Sequence, residues 1–248
     1  MNFLNMLLPL LLTVAQSAFG TNCLAAIPAA NSSSPSPPAT SPKNYTELSI
    51  GVIVYEQATP LDYFGPLQYF DKLSAVGVDV RMSTIGQKSG LMLSGEDGIP
   101  YHATHNYKQL QDAKFDIILI TGGTTTNVIA DPEFMTFISN VARRADYVLS
   151  VCTGAEILAA TGLLDGKNAT TNKMAFEEIS SKYTQANWQR KARWVVDGSV
   201  WTSSGVAAGM DLGRAFVADV FGEEVATRIA FNVEIMPNTD PSNDPYAV

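Results

Sequence analysis

The chain is poor in the side chains that most often activate a nucleophile or hold a metal: two cysteines and two histidines in 248 residues. Both histidines, His102 and His105, stand in the polar run Tyr101-His102-Ala103-Thr104-His105-Asn106. They read as surface residues of a hairpin, which sets them aside as partners of a catalytic thiol or as a metal pair. Positive charge is scarce too. Lys and Arg number 16 against 24 Asp and Glu, a formal net charge of -8, the wrong sign for a surface that gathers phosphates or anionic headgroups. Nucleic acid is thereby excluded as a partner. The most apolar stretch, Leu7-Leu8-Pro9-Leu10-Leu11-Leu12, is too short and too interrupted by proline to span a bilayer, and no internal repeat is visible.

What the chain does hold is 46% hydrophobic residues, enough to bury a substantial core. Residues 1–20 read as a secretory signal peptide, with the apolar run followed by Ala18-Phe19-Gly20, small residues fit for cleavage, although Lys and Arg are missing before the run. An extracellular protein with no stable membrane insertion after cleavage is the expectation. Residues 21–46 form a Ser/Pro-rich linker whose composition offers little apolar surface to offset the entropy of ordering. Three N-x-[ST] sequons, at Asn31, Asn44 and Asn168, are candidate glycosylation sites in a secreted chain. Residues 47–238 are read as the folded domain and 239–248 as a C-terminal tail. A Cys23–Cys152 disulfide is not expected: Cys23 precedes the linker, Cys152 falls at a buried strand end, and a cystine would consume the only nucleophile.

From Leu48 onward, short apolar runs alternate with helical stretches, the pattern of an α/β fold with a mostly parallel sheet. Leu48–Tyr55, Val78–Thr84, Phe115–Thr121 and Tyr147–Val151 are expected strands. Met92–Tyr101 reads as a small polar hairpin outside the core. Asp62–Val76, Ala155–Leu164 and Ser204–Phe221 read as helices, and Asp131-Pro132 as the N-cap and first position of another running to Arg144. Asp197-Gly198 marks the turn of a late hairpin.

Ser150-Val151-Cys152-Thr153-Gly154 places Cys152 between an apolar strand and a helix, flanked by small residues. The arrangement echoes the G-x-S-x-G elbow, in which a tight turn pushes the nucleophile out above the sheet. An exposed thiol is expected, with its pKa depressed by the free N–H groups and positive end of the following helix. The plainer reading is a buried cysteine acting as a small apolar filler. Gly122-Gly123 ends a neighbouring strand at the same sheet edge. Either its N–H groups face a developing negative charge alongside that of Thr153, or the pair only makes a tight turn. Asp62, after the first strand, is either a helix cap or an acidic partner at the edge where open α/β sheets bind ligands.

Taken in order, Pro60-Leu61-Asp62-Tyr63-Phe64-Gly65-Pro66, Ile120-Thr121-Gly122-Gly123, Val151-Cys152-Thr153-Gly154-Ala155, Ala169-Thr170-Thr171 and Thr202 to Asp211 resemble the ThiJ/PfpI superfamily, which shares the class I glutamine amidotransferase-like fold. The resemblance implies a flavodoxin-like three-layer sandwich with a mostly parallel central sheet and a cysteine nucleophile elbow. Its L-D-x-x-G-P and V-C-T-G-A pieces look most like the isonitrile hydratase branch, which adds water to an isocyanide to give an N-substituted formamide. By that resemblance Cys152 is the nucleophile, Asp62 the proton donor and acceptor, and Thr153 a neighbour that places the reacting group. It implies a small-molecule substrate, no metal or organic cofactor, and a homodimer. Many relatives carry His after the paired threonines; here Asn172-Lys173 follows, which argues against glyoxalase-like and peptidase-like branches. Lys173 reads as solvent-facing. Two other readings stand: a ligand-binding or redox-sensing protein of the same fold, the latter hard to reset outside the cell, and a cysteine hydrolase of amides, esters or carbonyl adducts.

Overall fold

The structure is a computed structural model describing residues 45–94 and 98–247. The expected signal peptide, Cys23, Asn31, Asn44 and all of the expected linker but its last two residues lie outside the described residues. In chain order the elements are β1 (Glu47–Ile53), α1 (Leu61–Asp71), β2 (Asp79–Gly86), β3 (Gly90–Leu93), β4 (Pro100–Ala103), β5 (His105–Asn106), β6 (Ile117–Ile120), α2 (Thr126–Ile129) and α3 (Pro132–Arg144). There follow β7 (Tyr147–Ser150), α4 (Gly154–Ala160), β8 (Asn168–Ala169), α5 (Phe176–Lys182), β9 (Asn187–Trp188), β10 (Trp194–Asp197), β11 (Val200–Ser203), α6 (Ala208–Phe221) and α7 (Glu223–Asn232).

Seven strands form the central sheet in the order β10-β11-β7-β6-β1-β2-β5. Every pairing in it is parallel except β10 with β11. β6 and β7 are buried at every position, as central strands of a parallel sheet must be when helices cover both faces. Phe216 of α6 ties helix to sheet. Its ring meets Phe70 of α1, Tyr147 of β7 and Trp201 of β11 edge-on, with centroids 5.0 to 5.6 Å apart, a geometry aromatic rings favour beyond the area they bury. α3 opens as its sequence dictates: the Asp131 carboxylate accepts the Phe134 N–H at 3.0 Å, with Pro132 at the first helical position. The β10–β11 hairpin turns at Gly198, whose φ of 63° suits glycine.

Several expectations change. The helix foreseen over 62–76 is α-helical only to Asp71 and tightens to a 3-10 turn over Lys72–Val76 before Gly77. The polar hairpin exists as β3–β4, but Met92, Tyr101 and Ala103 are buried in the core. Its period-2 alternation sends one face inward. Residues 239–247 do not form a free tail: the Arg193 N–H donates to the Pro241 carbonyl at 2.8 Å and the Asp244 N–H to the Lys191 carbonyl at 2.7 Å. Tyr45, assigned to the linker, sets its ring 5.8 Å from that of Phe221. Among the described residues no helix is long and apolar enough to cross a membrane.

Candidate active site

β7 ends at Ser150, and two residues later Cys152 takes φ 58°, a left-handed conformation that side chains other than Gly, Asn and Asp rarely adopt. Three hydrogen bonds hold the chain in that turn. Val151 N–H donates to the Ile120 carbonyl at 3.1 Å, Cys152 N–H to the Ser204 carbonyl at 2.9 Å, and Thr171 Oγ1 to the Cys152 carbonyl at 3.0 Å. Gly154 lets α4 start hard against β6, since a Cβ there would lie 2.5 Å from the Ile120 carbonyl oxygen. The strand-to-helix elbow foreseen from sequence is therefore present and braced.

The thiol it presents is not the exposed one expected. Cys152 is 6% exposed and is a free cysteine among the described residues. Asp62, 0% exposed, approaches from the start of α1. It does not cap its own helix. Its Oδ2 instead accepts the Gly122 N–H across the sheet edge at 2.9 Å, while Oδ1 is buried with no hydrogen-bond partner among the described residues. Gly122 is the hinge of this meeting: a Cβ built there would sit 2.7 Å from Asp62 Oδ2, 2.7 Å from the Thr153 nitrogen and 2.8 Å from Cys152 Cβ. Only glycine lets the three converge.

Burial dominates the electrostatics. It pushes the Asp62 carboxyl up to about 7, with the Gly122 N–H and the Cys152 thiol pulling back in part. Burial, and then the Asp62 charge, push the Cys152 thiol up to about 11 against the Thr153 and Asn172 donors. The expected depression of the thiol pKa is thus reversed. α4 has only seven residues, and its N-terminal donors are outweighed by desolvation and a neighbouring carboxylate. At neutral pH the pair is a thiol facing a carboxyl poised between its two forms. Tyr55, whose hydroxyl donates to the Thr121 carbonyl at 3.0 Å, stays neutral beside them, its pKa raised well above normal by burial and by Asp62.

The Gly122 and Gly123 N–H groups, expected to face an incoming anion, are both engaged. Gly122 N–H holds Asp62, and Gly123 N–H donates to Thr153 Oγ1 at 2.9 Å, while that hydroxyl returns a bond to the Gly123 carbonyl at 2.9 Å. They position the acid and the threonine. Beside Thr153 and Gly123 opens a cavity of about 410 Å³, lined also by Thr125, Glu156, Ile179 and Lys182. The Glu156 carboxylate is held there by the Thr125 hydroxyl at 2.5 Å and by Lys182 at 2.9 Å.

Sequence reasoning missed the loop that follows Thr170-Thr171. Asn172 Nδ2 lies 3.3 Å from Cys152 Sγ. Lys173, expected in solvent, is half-buried; its ammonium donates to Thr170 Oγ1 at 2.8 Å and to the Ala192 carbonyl at 2.7 Å, and burial lowers its pKa to about 8. The one available signal was the position itself, which the ThiJ/PfpI resemblance marked as histidine in many relatives. His102 on β4 is exposed and His105 is half-buried on β5, and β6, β1 and β2 separate β5 from β7, so neither serves Cys152. The Asn168 amide is exposed, donating to Asp197 at 3.1 Å and accepting from Gln189 at 3.3 Å. Among the described residues no group of three or more His, Cys, Asp or Glu is placed to hold a metal.

A cysteine at a strained strand-to-helix turn, on the edge of a mostly parallel sheet, defines a class of α/β proteins built on a nucleophile elbow. Residues 48–219 match the DJ-1/PfpI family, and the chain belongs to it. It is 30% identical over 207 residues to an isonitrile hydratase of Pseudomonas putida, covering 81% of this chain and 86% of that protein. It is 25% identical over 199 residues to the HTH-type transcriptional regulator GbdR of Pseudomonas aeruginosa, 78% of this chain but 52% of the regulator. A solved ThiJ/PfpI family protein from Pseudomonas syringae superposes with a TM-score of 0.65 at 26% identity, covering 77% of this chain and 76% of the other.

Proposed function

We propose that this protein is an isonitrile hydratase-like lyase that adds water to a small isocyanide through a covalent adduct on Cys152. The observation that carries the reading is Asp62: a buried carboxyl with one oxygen free of hydrogen-bond partners among the described residues, raised to about 7, beside the thiol and with no histidine in reach. An isocyanide carbon accepts a nucleophile only as it also accepts a proton, so the reaction calls for one group that both takes and returns protons at neutral pH. In the first step Asp62 removes the Cys152 proton, sulfur bonds to the isocyanide carbon, and Asp62 returns the proton to that carbon, giving a thioimidate, R–N=CH–S–Cys. Water then adds to this carbon while Asp62 carries a water proton to nitrogen. Collapse of the adduct breaks the C–S bond, the remaining hydroxyl proton passes to sulfur, and the N-substituted formamide leaves with the thiol regenerated. Thr153, fixed by Gly123, offers its backbone N–H to the sulfur. A thiol raised to about 11 weighs against the redox-sensor reading, which calls for a thiolate at neutral pH.

Incubating the protein and its Cys152→Ala variant with an alkyl isocyanide, and following N-alkylformamide by mass spectrometry, tests the proposal. Formamide above the variant's background is expected; equal background in both overturns it. We further propose a secreted homodimer, cleaved after the leader and glycosylated at Asn31, Asn44 and Asn168. Sequencing of the N-terminus, a glycosidase mass shift and light scattering read these out.

A further inference from the structure

We infer that Asn172 is a further catalytic residue, a fixed hydrogen-bond donor to the Cys152 sulfur that bears its negative charge whenever the proton is away. The inference rests on Cys152 as the nucleophile and not on the identity of its substrate.

The orientation of the Asn172 amide is decided by what its oxygen does. Oδ1 accepts the Met174 N–H at 2.8 Å and the Ala175 N–H at 3.3 Å, two backbone donors just ahead of α5, the local bonding that asparagine favours at helix entrances. With the oxygen so engaged, the amino group is left to face Cys152 Sγ at 3.3 Å. An amide NH2 at that distance donates and never accepts or titrates in the physiological range. It therefore cannot serve as a base, but it steadies a thiolate at any pH.

The segment around it is built to hold this geometry. Thr171 Oγ1 locks the Cys152 carbonyl. Lys173 on the other side pins Thr170 Oγ1 and the Ala192 carbonyl. Thr170 N–H donates to Thr202 Oγ1 of β11 at 2.8 Å, and Gly205 leaves room for the amide, since a Cβ there would stand 3.2 Å from Nδ2. Thr171 and Asn172 thus hold the nucleophile's carbonyl and sulfur, while Thr170 and Lys173 on either side anchor the segment that carries them. A division of labour follows: Asp62 moves protons, and Asn172 with the Thr153 N–H holds charge, so one carboxyl serves where a titrating histidine would otherwise sit.

The charged and titratable groups that face the thiol are Asp62 from α1 and Tyr55 beyond the end of β1, and both are unchanged in the variants that test the inference. Asn172→Asp keeps Oδ1 for the Met174 and Ala175 N–H groups but points an acceptor at sulfur; Asn172→Ala removes donor and cap together. The rate of carbamidomethylation of Cys152 by iodoacetamide is measured from pH 6 to 11 in each, with thermal unfolding alongside. A charged-group hydrogen bond of ordinary strength corresponds to roughly a tenfold to hundredfold change in thiolate fraction. The expected result is an alkylation curve for Asn172→Asp displaced to higher pH, with at least roughly tenfold slower labelling at pH 8 and an unfolding temperature close to that of the parent. Asn172→Ala moves the curve the same way by less, because water enters where the amide stood. Because the new carboxylate of Asn172→Asp also repels the thiolate by its charge, Asn172→Ala decides: a curve for Asn172→Ala superposable on the parent's, in a folded protein, overturns the inference. The readout needs no isocyanide: a displaced curve beside absent formamide production would retain Asn172 and remove the hydratase reading instead.

Discussion

Two buried carboxylates, about equally removed from water, serve opposite ends in this molecule. Asp211 of α6 is 5% exposed and fully bonded: Arg193 reaches its Oδ2 with Nε and Nη2, both at 2.7 Å, and the Asn238 N–H reaches Oδ1 at 2.8 Å. Asp62 is 0% exposed, with one backbone N–H on Oδ2 and, among the described residues, no hydrogen-bond partner on Oδ1. Burial raises both carboxyls, but at Asp211 the guanidinium pulls back, whereas at Asp62 no cation answers and the value climbs to about 7. A buried acid with an arginine is a tie between α6, the residue that precedes β10 and the C-terminal segment. A buried acid without one is a proton carrier. The difference lies in the partner supplied, not in the depth of burial.

Four substitutions test the contrast between the two acids. The largest effect is expected for Asp62→Asn, which keeps the shape and the Gly122 acceptor but removes the shuttle. Formamide production should fall by roughly 10²- to 10⁴-fold, the range for loss of a general acid-base, measured as kcat/KM with an alkyl isocyanide. The same change should raise stability at pH 8. A carboxyl whose folded pKa is raised binds a proton that the unfolded chain has released, so stability is lost as pH rises from about 4 to about 7. Three pKa units set the ceiling, on the order of 4 kcal/mol, and urea titrations at pH 5 and pH 8 should show the pH-dependent fall shrink in Asp62→Asn. Next, Asp211→Ala strands a buried guanidinium and should destabilise by roughly 3 kcal/mol in urea unfolding. Gly122→Ala forces a methyl between Asp62, Thr153 and Cys152 and should lower kcat/KM by roughly tenfold or more, in line with the sensitivity of catalysis to small misplacements. The smallest effect belongs to Asp244→Asn. Asp244 lies 3.8 Å from Arg193, and its Oδ1 accepts the Tyr246 N–H at 2.9 Å, so the amide keeps the local bond and should cost about 1 kcal/mol.

The elbow was legible because its determinants are local. A short, largely apolar run, a cysteine and a glycine two positions on dictate a strand, a tight turn and a helix. Asp131-Pro132 and Asp197-Gly198 were legible for the same reason. The state of the thiol was not, because what buries it comes from elsewhere in the chain: Asp62 lies 90 residues before Cys152 by number, and Gly122, Asn172 and Ser204 arrive on three further loops. Sequence spacing names the helix that lowers a pKa and is silent on the desolvation that raises it. Asn172 was visible only as a histidine that was missing; its donor role follows from two backbone N–H groups that take its oxygen. The C-terminal residues read as a tail, yet the Arg193 backbone N–H holds the Pro241 carbonyl and buried Asp244 lies 3.8 Å from the Arg193 guanidinium, contacts that no local pattern announces.

An uncompensated buried carboxyl beside Cys152 should keep its proton to neutral pH. A carbon-13 NMR titration of the aspartate carboxyl groups, run on the parent protein and on Asp62→Asn, measures this directly. One resonance absent from the variant should titrate at about 7. If that resonance instead titrates near the ordinary carboxylate value of about 4, Asp62 is fully ionised at neutral pH and the proton-carrier account fails.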